Sequence, residues 1–125
     1  ATGPADKPFW QGCWPALNMI PMEVNGYEVS RCGNLRGADL KGVDLSGANL
    51  QRANLQRVNL RGANLQRADL SQAQLGWATC GSADLRGADL RHANLTATYL
   101  ERAIADLDTV WPEGFDPEAV GVIFE

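Results

Sequence analysis

The sequence predicts an all-β solenoid, a chain that turns a corner every five residues and stacks upon itself. Three observations carry this reading. From Gly33 to Arg102 the chain divides into 14 consecutive five-residue units without a gap. The central residue of each unit, the anchor, is Leu in 13 units and Cys80 in the other. Two residues before the anchor stands Ala in 10 units, and the residue just before it is Asn or Asp in 11.

A period of five fits neither regular element. On an α-helix, steps of five advance the anchors by about 500°, which winds the Leu stripe around every face. In a simple strand, odd steps send alternate Leu residues to opposite sides. A chain that turns every five residues satisfies the pattern, with one large and one small apolar side chain inward and three polar residues outward on each side. Four such sides make a coil of about 20 residues, and stacked coils share backbone hydrogen bonds as in other β-solenoids. The units then give about three and a half coils, roughly 17 Å tall at the ~4.8 Å spacing of paired strands. Residues one coil apart stack in columns, so Cys80 lies in a ladder with Leu40, Leu60 and Leu100. It reads as a small buried hydrophobe rather than a reactive thiol.

The run ADLKGVDLSGANLQRANL, Ala38 to Leu55, resembles the pentapeptide-repeat proteins, whose pattern is A(D/N)LXX. The resemblance covers 70 of the 125 residues. It implies a right-handed quadrilateral β-helix with a narrow dry core of anchor Leu and preceding Ala. Handedness and the four-sided section come from the resemblance; the period itself shows only regular turning.

An open solenoid end exposes core and unpaired backbone, so caps are expected. The chain is read as a single domain over 1–125, with an N-terminal cap at 1–32, the shaft at 33–102 and a C-terminal cap at 103–125. Phe9, Trp10, Trp14, Leu17, Met19 and Ile20 supply the first cap, with a short helix after Pro15, and Tyr27–Cys32 runs extended into the first coil. Leu100, Ile104 and Leu107 fall at helical spacing, which predicts a helical turn over Thr98–Leu107. Asp116, Pro117 and Glu118 make a helix start, and Trp111, Phe115, Val120, Val122, Ile123 and Phe124 are expected to cover the last coil.

Cys13 and Cys32 both fall in the N-terminal cap. A disulfide between them would tether a Pro-rich segment that lacks repeat pairing; the competing reading is two reduced, buried residues. A disulfide implies an oxidising compartment such as a periplasm or an organelle lumen. The chain opens on Ala1 rather than Met, consistent with a cleaved signal peptide or a trimmed end. The segment WPEGFDP, Trp111 to Pro117, resembles tails of cyanobacterial and plastid family members, which favours a soluble, exported location in a periplasm or thylakoid lumen.

Composition narrows the chemistry. A single His92 and three widely spaced Cys exclude His-based zinc and CxxC sites, so no metal, cofactor or catalytic residue is expected. No apolar run reaches the roughly 20 residues of a membrane span. Gly37, Gly42, Gly47, Gly62 and Gly87 share one corner slot, where a turn needing φ > 0 explains them without a ligand. Asp69 and Asp89 share a column and could hold a cation, but neighbouring Arg91 and His92 favour a solvated mixed-charge face.

The resembled family includes members that protect DNA gyrase by imitating the charge and shape of a DNA duplex. The shaft holds nine basic and six acidic residues, while the 103–125 segment carries a net −6 within a total of −4. A net-positive shaft argues against such mimicry of a topoisomerase, which stays the alternative. Interleaved Asp and Arg give no single-sign stripe, so nucleic-acid binding is not expected either. The sequence is read as a non-enzymatic structural or interaction module whose partner is another protein, with no small-molecule substrate.

One interruption points to a surface. Across Gln74 to Ser82 the sequence reads QLGWATCGS, and Trp77 fills a corner slot that elsewhere mostly takes Gly or Arg. Its column neighbour is Arg57, close enough for a cation–π contact. The pair is either local packing of an Arg stem on the indole or a partner-contact spot of the kind aromatic and Arg hot spots provide.

Overall fold

The structure, a computed structural model, describes residues 22–125. The apolar cluster from Phe9 to Ile20, the expected short helix after Pro15, and Cys13 lie outside the described residues. The described chain opens on a hairpin, β1 (Met22–Val24) and β2 (Tyr27–Val29), paired antiparallel with Val24 opposite Tyr27. Asn25 and Gly26 join them at φ 52° and 82°. Two consecutive positive φ values define a type I′ turn, for which Asn-Gly is the preferred pair. Tyr27–Val29 is therefore extended as expected, but as half of a hairpin rather than as a simple lead into the coil.

From there the five-residue unit governs the backbone. Every fifth residue from Cys32 to Arg102 has positive φ, and ten of these fifteen are not glycine. Each is the third residue of a turn closed by an i→i+3 bond, as where the Ala38 amide donates to the Leu35 carbonyl at 3.0 Å. Positive φ at that position is the type II signature. All five corner glycines of the shaft occupy this slot. A side chain with Cβ is strained there. Ala97 sits in this slot at φ 55° and is exposed. Ala97→Gly is expected to raise stability by about 0.5–1 kcal/mol, measured by urea unfolding; a loss of stability would contradict the strain.

The preference for Asn or Asp before the anchor has an equally local cause. At all 11 such positions the side-chain oxygen accepts the amide two residues on, for example Arg36 N to Asn34 Oδ1 at 3.2 Å and Ser46 N to Asp44 Oδ1 at 3.0 Å. This Asx turn supports the corner, and only a short side chain with that oxygen makes it.

Successive coils then pair in parallel, from Asn34 with Asn54 to Asp84 with Ile104. Amides and carbonyls alternate along these rungs, as in Leu35 N to Asn54 O at 2.8 Å and Asn54 N to Gly33 O at 2.8 Å. Inside, Leu40, Leu45, Leu50, Leu55 and Leu60 are completely buried, with Ala53, Ala63, Ala73 and Ala83 beside them. Cys80 is buried in its Leu ladder, and burial pushes its thiol up to about 12. It is a core side chain, inert in the folded state.

The C-terminal end differs from expectation. No helix forms over Thr98–Leu107. Tyr99 pairs with Thr79, Ile104 with Asp84 and Val110 with Asp89, so coil geometry continues past Arg102. The period would set Thr109 against Asp89, but Val110 takes that place, so one inserted residue falls at this corner. Asp106 accommodates it: its Oδ1 accepts the Gly87 amide at 3.0 Å, the Asp108 amide at 3.0 Å and the Thr109 hydroxyl at 3.2 Å. The coil beneath presents backbone groups that need parallel partners, and this demand outweighs the helical spacing. Leu107 consequently lies at the corner and is 98% exposed.

A parallel pair, β3 (Ile104–Ala105) and β4 (Ile123–Phe124), closes the far end. Between them Glu118–Val120 forms one 3₁₀ turn, and Asp116 Oδ1 accepts the Ala119 amide at 3.3 Å. Val122 is buried, and Trp111 and Phe115 stack at 5.4 Å against the core. Val120, Ile123 and Phe124 stay substantially exposed, so the expected cover is partial. Pairing explains why: the chain follows the backbone rung, with Ile123 N to Ala103 O at 2.8 Å, rather than folding flat over the Leu ladder.

Candidate functional site

Residues 57–61, 77–81 and 97–101 form one side of the shaft in successive coils, since pairing joins Asn59 to Thr79 and Thr79 to Tyr99. Departures from the repeat concentrate here. Thr79 and Tyr99 replace Asn or Asp, Trp77 takes a corner, Cys80 an anchor slot, and Gly81 the position after it.

Trp77 sits at φ 62° in the turn closed by Ala78 N to Leu75 O at 3.0 Å. That backbone aims the indole outward, and Trp77 is 62% exposed. The Arg57 guanidinium carbon lies 5.7 Å from the ring centroid, within cation–π range. The structure thus brings the two residues singled out in the sequence into contact, with the indole open to solvent.

A second aromatic pair lies beside it. Tyr99 is 47% exposed, and Arg61 stands over its ring at 5.8 Å. Two coils separate these residues, and Gly81 in the intervening coil makes the contact feasible. A Cβ on Gly81 would lie 3.0 Å from Tyr99 Cε1. Sequence reading missed Tyr99, Arg61 and Gly81 as a unit. The available signal was that Tyr99 departs from the Asn/Asp slot one coil after Thr79 does.

The tyrosine, the glycine and three cations border a groove of ≈ 480 Å³, lined by Lys41, Arg61, Gly81, Tyr99, Glu101 and Arg102 among others. Among the described residues, ion pairs form only between Arg86 and Asp84 at 2.7 Å and between Arg91 and Asp89 at 2.6 Å. The Arg86 hydrogen bond is the main cause holding the Asp84 carboxyl down to about 2, and Arg91 likewise lowers Asp89. Asp69 accepts from the amide and hydroxyl of Ser71, at 3.0 and 2.7 Å. The Asp69–Asp89 column is thus internally satisfied on a mixed-charge face. Among the described residues, no group of three or more His, Cys, Asp or Glu is placed to hold a metal ion.

The pentapeptide-repeat family model matches residues 34–72 and 68–104 with eight copies. Three solved structures, all pentapeptide repeat proteins, are similar to this chain. One from Nostoc Pcc 7120 is 40% identical over 76% of this chain and 83% of its own, with a TM-score of 0.43. One from the Arabidopsis thaliana thylakoid lumen is 33% identical over 66% of this chain and 60% of its own, with a TM-score of 0.59. One from the cyanobacterium Cyanothece 51142 is 38% identical over 66% of this chain and 63% of its own, with a TM-score of 0.41. Among curated proteins, none matches. The chain belongs to the pentapeptide-repeat family. No helix of the described residues is long and apolar enough to cross a membrane.

Proposed function

We propose that the chain is a non-enzymatic structural and interaction module, a right-handed quadrilateral β-helix capped at both ends, which docks another protein on the side bearing Trp77 and Arg57. The observation that supports this most is the 62% exposed indole beneath an Arg guanidinium, on the side where the repeat departs from its pattern. Most other corner positions of the shaft take Gly or a flexible polar residue, and the coil is satisfied. An exposed Trp gains nothing in coil pairing and is the residue type that contributes most at protein interfaces. Rigid parallel rungs hold it at little conformational cost on binding.

We also infer a Cys13–Cys32 disulfide and a lumenal or periplasmic location. The thylakoid-lumen origin of one similar structure is in keeping with that location. The alternative, mimicry of duplex DNA toward a topoisomerase, is disfavoured by the shaft's nine basic against six acidic residues.

A photo-crosslinking residue placed at position 77 should capture one dominant protein from a lumenal or periplasmic extract. The same group at His92, on a different side, should capture none. Arg57→Ala in the same chain should weaken capture by more than tenfold. Equal capture from both positions would overturn the docking side, and inhibition of gyrase supercoiling by the pure chain would favour the alternative.

A further inference from the structure

We propose that the groove beside Tyr99 receives an extended acidic segment of the docked protein, with carboxylates held by Lys41, Arg61 and Arg102. The inference rests on the docking side described above and names what it recognises. Lys41, Arg61, Gly81 and Glu101 occupy one column in successive coils, each just after an anchor. In most other units this position carries a polar or charged side chain. At Gly81 the side chain is missing, so the column has a gap between Arg61 and Glu101, and the Tyr99 ring forms its wall.

Charge selects the occupant. Three cations face one carboxylate in the groove, and none of the three forms an ion pair among the described residues. All three residues are exposed, with the Arg61 guanidinium lying over the Tyr99 ring. Lys41 and Arg102 stand three coils apart, about 15 Å along the shaft at ~4.8 Å per coil. An extended peptide covers that distance in about four to five residues, with same-face side chains roughly 6.7 Å apart. Acidic residues at alternate positions therefore meet successive cations. Planar Arg groups suit carboxylates through paired N–H donors.

A single-stranded nucleic acid fits less well. Glu101 stands in the line of cations and would face a phosphate, whereas a peptide amide can donate to it. Tyr99 and Trp77 each already carry an Arg on one ring face, leaving less open aromatic surface for base stacking.

The test uses fluorescein-labelled hexaglutamate and the full chain, followed by fluorescence anisotropy. Saturable binding that weakens with added salt is expected. Combining Lys41→Ala and Arg61→Ala should reduce affinity at least tenfold. Arg52→Ala removes one charge from another side of the shaft and should change affinity less than twofold. Gly81→Ala should also weaken binding, because its Cβ displaces the Tyr99 ring, while the unfolding midpoint stays near that of the parent. Absence of saturable binding overturns the proposal, as does equal damage from Arg52→Ala. Tighter binding of an equally long oligothymidylate would assign the groove to nucleic acid instead. Hexaglutamate binding needs no native partner. A chain that crosslinks a protein at position 77 but ignores the probe loses only the groove, and one that binds the probe but captures nothing loses only the docking side.

Discussion

Replacing Leu65 by Ala is expected to cost about 2–5 kcal/mol of folding stability, the range for emptying a well-packed Leu site. Leu65 is 1% exposed, between Leu45 and Leu85 in its column. Relaxation into the gap is opposed from both directions. The Leu65 amide donates to the Asp84 carbonyl at 2.8 Å, and Asn64 pairs with Asp44 in the coil before and Asp84 in the coil after. Collapse would break these rungs, so the cavity stays open. In a repeat protein the loss is felt at both interfaces of the affected coil. Two controls bracket the measurement by urea unfolding. Leu95→Ala, at a half-buried anchor near the shaft's end, should cost less than half as much. Leu107→Ala, at a 98% exposed position, should fall within about 0.5 kcal/mol of the parent. A Leu65→Ala loss no larger than that surface value would contradict the interior assigned to the anchors.

The anchors were legible because each unit repeats one local solution. Leu and Ala face inward, the Asn or Asp oxygen closes an Asx turn, and the corner takes positive φ. All three constraints act within a single unit, and so they leave a period in the sequence. The Asn25-Gly26 hairpin was equally local and open to recognition, but it lies outside the repeat that dominated the reading. The coil beyond Arg102 was obscured for a physical reason. Ala105 takes the anchor slot in place of Leu, and an inserted residue breaks the phase before Val110. Leu100, Ile104 and Leu107 then imitate helical spacing, although the rung from Ile104 to Asp84 decides the backbone.

The candidate site divides along the same line. Trp77 and Arg57 are separated by one coil, so the period alone brought them together. Arg61, Gly81 and Tyr99 span two coils, and their contact depends on a ring lying across the missing side chain of a glycine. No period encodes that geometry; it follows from the absence of a Cβ at one position and the reach of a tyrosine from another. In the function proposed above, recognition falls to the positions the coil does not need. The rungs and ladders are satisfied by Leu, Ala, Asn and Asp, and side chains that break their pattern without improving pairing are available for recognition.

Loss of the inferred Cys13–Cys32 bond, by Cys32→Ser, is expected to cost on the order of 3 kcal/mol, the chain-entropy value for a loop of about 20 residues. Cys32 occupies the first corner of the coil at φ 61°, and its amide donates to the Gln51 carbonyl at 2.8 Å. A bond from this corner would fasten the preceding chain to the shaft where parallel pairing begins, so its removal should release that segment in addition to widening the unfolded ensemble. A thiol count separates this from the effect of substitution alone. Cys80 is buried in the ladder with its thiol pushed up to about 12, so it stays silent toward alkylating reagents in the folded protein. Denaturation without reductant should expose one thiol, and reduction should raise the count to three. Three thiols before reduction, in protein purified from an oxidising compartment without reductant, would remove the bond and its stabilisation. The argument for an exported location would then rest on resemblance alone, because nothing in the shaft itself requires oxidation: its rungs, ladders and Asx turns hold equally in a reducing environment.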